Sequence, residues 1–114
     1  MGLLIEGMNK ARDLIAAALT QGQCGTGTST ATSEDTGLDE AQGGTLKTLT
    51  VNTADRLITV TFSLNSAEGN GLSLTEFENA FSTGESLCRI RHTPISKSST
   101  NELTFIVQYG IEGA

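Results

Sequence analysis

The clearest hydrophobic pattern of the chain lies between Arg56 and Leu64. From residue 58 onward, apolar side chains alternate strictly with hydroxyl side chains; the apolar positions are Ile58, Val60, Phe62 and Leu64. Because successive side chains of a strand point to opposite faces, this period of two predicts a half-buried strand with a polar outer face. A helix would scatter the same apolar residues around its surface. We therefore expect this strand to be the centre of the fold.

Four further segments show weaker strand patterns and are expected to pair with the central one: residues 46–51, 72–81, 86–92 and 103–109. The alternation of the second slips around Glu76 and Phe77, which predicts a bulge or a strand that passes between two sheets. Turn residues such as Asn70-Gly71 and Thr93-Pro94 separate the segments. Five antiparallel strands joined by short turns predict a mainly β domain, a small sandwich or barrel.

The amino-terminal segment, residues 3–20, has the period of a helix instead. Apolar residues recur every three or four positions and form one stripe, made up of Leu4, Met8, Ala11, Ile15 and Ala18. Gly22 follows and is expected to end the helix. The stripe predicts a single amphipathic helix that packs either on the chain's own sheet or in the groove of a partner subunit.

Between the helix and the strands, residues 21–44 are rich in Gly, Thr and Ser and show no periodicity. A segment of this length without structure of its own is uncommon in a compact domain, so we expect a loop or an arm. Residues 33–40 are acidic and predict one helical turn capped by Thr36. The chain of 114 residues is thus expected to be a single domain, 1–114, with a helix (3–20), an arm or loop (21–44) and a β-sandwich (45–110).

The charge of the chain narrows the classes of partner. With 7 Lys and Arg residues and a net charge of −6, the chain has no cationic cluster for nucleic acid or for an anionic membrane surface. Charged residues interrupt the apolar amino-terminal stretch, so we expect neither a secretory signal nor a membrane span there. Without an oxidising compartment, Cys24 and Cys88 are expected to be free thiols, with a disulfide between them as the alternative.

The chain offers little chemistry for catalysis. The Gly-Thr-Gly-Thr sequence that begins at Gly25 lacks the lysine of a phosphate-binding loop, and His92 is the single histidine. Cys24, Cys88 and His92 do not have zinc-site spacing. An acidic group lacks the alternating spacing of a calcium loop and is read as a solvated turn: Glu34, Asp35, Asp39 and Glu40. We therefore expect no enzymatic activity, no cofactor and no bound metal.

One charged residue lies inside an apolar strand pattern. Glu76 follows Leu72 and Leu74 at the spacing of residues on one face of a strand. A carboxylate that points inward needs a partner, because the burial of an unpaired charge is costly. Arg89 and Arg91, on the next predicted strand, are the candidates, and a structural ion pair is expected rather than a catalytic group.

The order of several motifs resembles that of short virion structural proteins from tailed phages, of the tail-fibre, collar and head-spike type. The helix carries Met8-Asn9-Lys10-Ala11-Arg12-Asp13-Leu14-Ile15, and a Gly/Thr-rich stretch from Gly25 to Thr32 is followed by Glu34-Asp35-Thr36-Gly37-Leu38. A Gly-Asn-Gly-Leu-x-Leu-Thr-Glu-Phe motif spans Gly69 to Phe77. The final motif comprises Arg91, Pro94, Ile95, Lys97, Glu102 and Leu103.

This resemblance implies a non-enzymatic structural or assembly protein of a tailed virus particle, made in the host cytoplasm and located in the virion. It implies contacts with other virion proteins and symmetric assembly without a cofactor, and we expect a homo-oligomer, a trimer or a ring. The interface is expected within residues 3–44, at Leu4, Met8, Ala11, Ile15, Gly25, Gly27 and Leu38. The alternative function is a glycan-binding β-sandwich module, for which an aromatic content of 4% offers a weak stacking platform.

Overall fold

The computed structural model describes residues 4–111. Within this range the chain forms one helix, α1 (Ile5–Ala18), and then seven strands: β1 (Leu19–Gly25), β2 (Lys47–Thr48), β3 (Thr50–Ala54), β4 (Leu57–Leu64), β5 (Ser73–Phe81), β6 (Ser86–Ser96) and β7 (Leu103–Gly110). A short 3₁₀ turn, Gly43–Thr45, precedes β2. The predicted fold class, a small antiparallel β-sandwich with an amino-terminal helix, is confirmed.

Two antiparallel sheets form the sandwich. The larger has the strand order β2-β1-β5-β6 and the smaller the order β3-β4-β7. The predicted central strand is the middle strand of the smaller sheet, and its four apolar residues, Ile58, Val60, Phe62 and Leu64, are at most 1% exposed. Their side chains pack against the inner face of the larger sheet, where the Phe62 and Phe77 rings lie 4.9 Å apart between centroids.

The predicted strand 46–51 is wrong as a single element, because the chain changes sheets within it. Lys47–Thr48 pairs with β1 in the larger sheet, whereas Thr50–Ala54 pairs with β4 in the smaller one. Leu49 lies between them with its side chain in the core and donates its backbone N–H to the Thr20 carbonyl (2.9 Å). Burial of this leucine therefore holds the corner between the two sheets.

The first strand lies inside the segment that the sequence predicts as a helix end and a loop. The helix ends at Ala18, and Leu19–Gly25 is the second strand of the larger sheet, with Leu19 and Cys24 buried. Gly22 faces the core, where an added Cβ would lie 2.6 Å from Phe62 Cδ2. The sheets approach closely at this point because glycine has no side chain, and the same feature hides the strand periodicity.

Two local predictions near turns are also wrong. Strand β6 does not end at Thr93-Pro94 but continues to Ser96; Pro94 is tolerated because β6 is an edge strand, where a missing N–H breaks no ladder. Residues 33–40 contain no helix. The N–H groups of Asp39 and Glu40, which a helical turn would leave near its start, are instead donated to Glu76.

The bulge predicted in residues 72–81 is confirmed. The register between β5 and β6 shifts between Leu74 and Glu76. After the shift, Phe77 pairs with Cys24 and Ile90 on the core side, while Glu76 pairs with Gly25 on the opposite side. The extra residue thus moves the carboxylate of Glu76 from the core face of the sheet to its outer face.

Candidate interaction surface

The Glu76 carboxylate anchors the long connection between β1 and β2. The residue is 0% exposed because residues 26–42, which we call the strap, fold back over the outer face of the larger sheet. Glu76 Oε2 accepts the backbone N–H groups of Gly27 (2.7 Å) and Glu40 (2.8 Å), and Oε1 accepts that of Asp39 (2.8 Å). One side chain therefore binds both ends of the strap.

Arg89 completes this arrangement from the neighbouring strand. Its Nε donates to Glu76 Oε1 (2.8 Å), its Nη1 to Asp35 Oδ2 (2.9 Å) and its Nη2 to the Ser29 carbonyl (3.0 Å). The predicted structural ion pair is confirmed, with Arg89 rather than Arg91 as the partner of Glu76. Because the guanidinium also reaches the middle of the strap, the loop is held along its whole length.

These contacts change the acidity of both carboxyl groups. Burial by itself would raise the pKa of Glu76, but the N–H donors of Glu40, Asp39 and Gly27 and the side chain of Arg89 outweigh it, and the pKa lies below the ordinary value. Asp35 also has a lowered pKa, chiefly because it accepts the backbone N–H of Thr32. Both groups are therefore held as carboxylates at neutral pH.

The lowered pKa of Glu76 predicts acid sensitivity. Since its folded-state pKa lies below the unfolded value of about 4.3, the carboxylate stabilises the fold above that pH, and this contribution is lost as the pH falls through the folded-state pKa. We expect the free energy of unfolding to decrease between about pH 5 and pH 3, and to decrease less in a Glu76→Gln variant. Urea denaturation at each pH measures both slopes; equal slopes would contradict the assignment.

Two of the predicted interface residues, Gly25 and Gly27, are buried beneath the strap. An added Cβ would lie 2.4 Å from Glu76 Oε2 at Gly25, and 2.3 Å from Asp39 Cβ at Gly27. Both glycines are therefore explained by the close packing of the strap on its own sheet, and their surfaces face the chain interior. The contact role predicted for them has no exposed surface to support it.

The strap encloses a polar depression of about 270 Å³ in which the acidic residues meet Arg89. Leu38, a further predicted interface residue, lines it and is half-buried. Asp35 is committed to Arg89, and Glu40 accepts the Thr26 hydroxyl. Among residues 4–111, no three His, Cys, Asp or Glu side chains are grouped as a metal site would require.

The apolar stripe of α1 packs mainly on the chain itself. Met8 is 8% exposed, and Ile15 and Ala16 pack against the core cluster that the two sheets share. Arg12 Nη1 donates to the Asp55 carbonyl and so ties the helix to the turn between β3 and β4. Of the two readings of the stripe, packing on the chain's own sheets is the one observed for these residues.

The predicted interface residues of the helix thus divide into two groups. Met8 is buried, and Ala11 and Ile15 are half-buried within the chain, so little of their surface is left for a partner. Leu4 directly precedes the helix, one turn before Met8 on the same stripe, yet it is 77% exposed. The stripe therefore continues past the surface that covers it.

Two exposed apolar residues of the helix were not among the predicted interface residues. Ile5 is 60% exposed and Leu14 is 61% exposed. Leu14 lines a shallow apolar groove of about 400 Å³ with Ile15, Ala18 and Phe81, where the helix passes the β5–β6 turn. Periodicity places Leu14 at the margin of the stripe, but it does not tell which marginal residues pack on the chain and which are left in solvent.

A small polar cluster lies between the two sheets, where Asn79 of β5 meets Tyr109 of β7. Asn79 is 0% exposed, and its Nδ2 donates to the Tyr109 hydroxyl; burial raises the pKa of Tyr109 to about 12. Half-buried His92 packs against the Phe105 ring, with 5.3 Å between centroids.

Both cysteines are free thiols, as predicted, and burial raises the pKa of Cys24 to about 12. This thiol is poorly suited to act as a nucleophile at neutral pH.

Comparison with known proteins adds no relative. No protein-family model matches the chain, and neither a curated protein nor a solved structure shows significant similarity to it. Across residues 4–111, the chain lacks a helix with the length and apolar character that a membrane crossing requires.

Proposed function

We propose that the protein is a non-enzymatic structural component of a tailed virus particle and acts through contacts between subunits. The observation that carries this proposal is the apolar stripe of α1, which is covered at Met8 and Ile15 and uncovered at Leu4. A second subunit that continued the covering surface would bury Leu4 and the adjacent Ile5. The resemblance to short virion proteins of tailed phages supports the same assignment.

The groove beside Leu14 is the second surface that supports a contact role. Large apolar side chains that line a concave surface at its centre are typical of protein contacts, whereas scattered exposed apolar residues are ordinary. Here Leu14 and Phe81 come from different elements and face one groove. A subunit or another virion protein would fill it with an apolar side chain.

The order of the strap is evidence that the chain is a rigid assembly unit. Its residues are bound to Glu76 and Arg89 within the chain, so they do not need to be ordered by a partner. A surface that is already ordered loses less conformational entropy on association. We therefore expect the chain to enter the particle as a preformed sandwich, in a fibre, collar, tail or head-decoration position.

Replacement of Leu4 and Leu14 by Asp is expected to lower incorporation of the chain into virus particles by about tenfold or more, because two apolar contacts are exchanged for buried charges. The measurement is the amount of chain in purified particles, by immunoblot against a constant particle number. Leu57→Asp is the matched control, since Leu57 is a 41% exposed leucine on β4, outside the helix. Wild-type chain missing from particles, or equal incorporation of the variant and control, would contradict the proposal.

A further inference from the structure

The four edge strands of the sandwich are not protected equally. Strand β2 has two residues, β3 is contacted by α1, and β6 carries Pro94 together with Arg91. Short length, a covering helix, proline and charge all discourage pairing with another chain. Strand β7 (Leu103–Gly110) has eight residues, no proline and no charged side chain. It is therefore the one edge, among those of residues 4–111, without a protective feature.

The hydrogen-bond phase of the β4–β7 ladder identifies the backbone groups that face outward. Ile111 donates its N–H to the Arg56 carbonyl (2.9 Å), which makes these two residues a hydrogen-bonded pair at the end of the ladder. Because hydrogen-bonded pairs alternate, Val107 and Phe105 use their N–H and C=O groups toward β4. The backbone groups of Thr104, Ile106 and Gln108 point to the free edge.

We infer that β7 pairs with β7 of a second copy of this chain, antiparallel and about a twofold axis at Ile106. In this register Ile106 lies opposite its own symmetry mate, and Thr104 lies opposite Gln108. All three residues have outward backbone groups, so each opposed pair forms two N–H···O=C bonds. The pattern is its own complement, as a twofold contact requires.

The side chains at this edge favour the same occupant. Ile106 is 67% exposed on the outer face of the smaller sheet, and pairing would place it against an identical side chain. Two copies of a chain with net charge −6 repel each other over most of their surface. The β7 edge brings no like charges into opposition, so self-pairing there meets little electrostatic resistance; β3 is also uncharged but is contacted by α1.

The inferred contact goes beyond the proposed virion role, since it uses neither Leu4 nor the groove beside Leu14. As a twofold dimer it also differs from the trimer or ring expected from the sequence. It joins two three-stranded sheets into one six-stranded sheet, β3-β4-β7-β7-β4-β3. Failure of this pairing would leave the helix surface and the virion assignment untouched. Conversely, a chain absent from virus particles would still be expected to form this dimer.

Light scattering with size-exclusion chromatography on the full chain tests the pairing. We expect the mass to approach twice 11.9 kDa as concentration rises, and expect Ile106→Lys to raise the dimer dissociation constant at least tenfold, because two lysines meet at the axis. Thr61→Lys is the matched control: Thr61 pairs with Ile106 on the same outer face but one strand inside the edge. Its dimer should match the wild type.

Covalent trapping tests the register. In a Cys88→Ser background, Ile106→Cys should give a crosslinked dimer with a short bismaleimide, whereas Thr61→Cys should give little; circular dichroism confirms that each variant is folded. A monomer at concentrations up to about 1 mM would overturn the inference. So would a trimer, a dimer that Ile106→Lys leaves unchanged, or one that is lost only on replacement of Leu14.

Discussion

Replacement of Glu76 by Ala is expected to lower the free energy of unfolding by about 3–5 kcal/mol. The change leaves Arg89 with the more exposed Asp35 as its remaining carboxylate partner, and it removes the acceptor for the N–H groups of Gly27, Asp39 and Glu40. A buried polar group that loses its partner costs far more than the pair contributes as a whole. Since small domains have a stability of about 5–15 kcal/mol, this single carboxylate accounts for a large part of the total.

Urea denaturation gives the loss of stability, and amide exchange at Gly27, Asp39 and Glu40 reports whether the strap has detached. All three amides should exchange much faster in the variant, while amides of β4 should keep their order of protection. Glu78→Ala is the control, because Glu78 lies on the same strand and the same outer face but accepts no strap N–H. A loss below about 1 kcal/mol with unchanged exchange would contradict the anchoring role.

The elements that could be predicted from the sequence are those with one buried and one exposed face. Strands β4 and β7 fall into this class, since Ile58 to Leu64 and Leu103 to Tyr109 alternate between core and solvent. Strand β1 could not be predicted because Gly22 and Gly25 have no side chain at positions where Phe62 and Glu76 need the space. The residues that make the strand fit are the same ones that remove its pattern.

The strap shows a second limit of prediction from the sequence. Glu76 lies in an apolar strand whose alternation slips by one residue. This pattern indicated both the bulge and the ion pair between Glu76 and Arg89, and both are present. The three backbone donors that complete the carboxylate site could not be predicted. A backbone N–H is common to nearly every residue, so its use depends on the path of the loop and not on side-chain identity.

The residues of the proposed contact surfaces could be predicted from the sequence only in part, for a related reason. Periodicity along α1 predicted the face that packs, and so it selected Met8 and Ile15, which the chain covers itself. Exposure of Leu14 depends on where the β5–β6 turn lies relative to the helix, which local sequence does not specify. The free edge at Ile106 likewise depends on strand order, a property of the whole sheet.

Replacement of Phe62 by Ala is the second change with a large expected effect, a loss of about 3–5 kcal/mol in the free energy of unfolding. Phe62 is 1% exposed, and its ring centroid lies 4.9 Å from that of Phe77 and 6.2 Å from that of Phe105. It also fills the space that Gly22 leaves open. Removal of the ring creates a cavity between the sheets that the two rigid ladders cannot close.

Urea denaturation with the slope of the transition measured separately tests this expectation for Phe62. The midpoint should fall while the slope stays the same, which indicates lost stability rather than a changed unfolded state. Phe62→Leu keeps most of the apolar volume and should lose only about 1–2 kcal/mol. Phe105→Ala, at a half-buried position on edge strand β7, should also cost less than Phe62→Ala. If the Phe62→Ala and Phe105→Ala losses were equal, the core would not be centred on the strand between Leu57 and Leu64. Both rings lie against Phe77, so complete burial is what distinguishes Phe62 from Phe105.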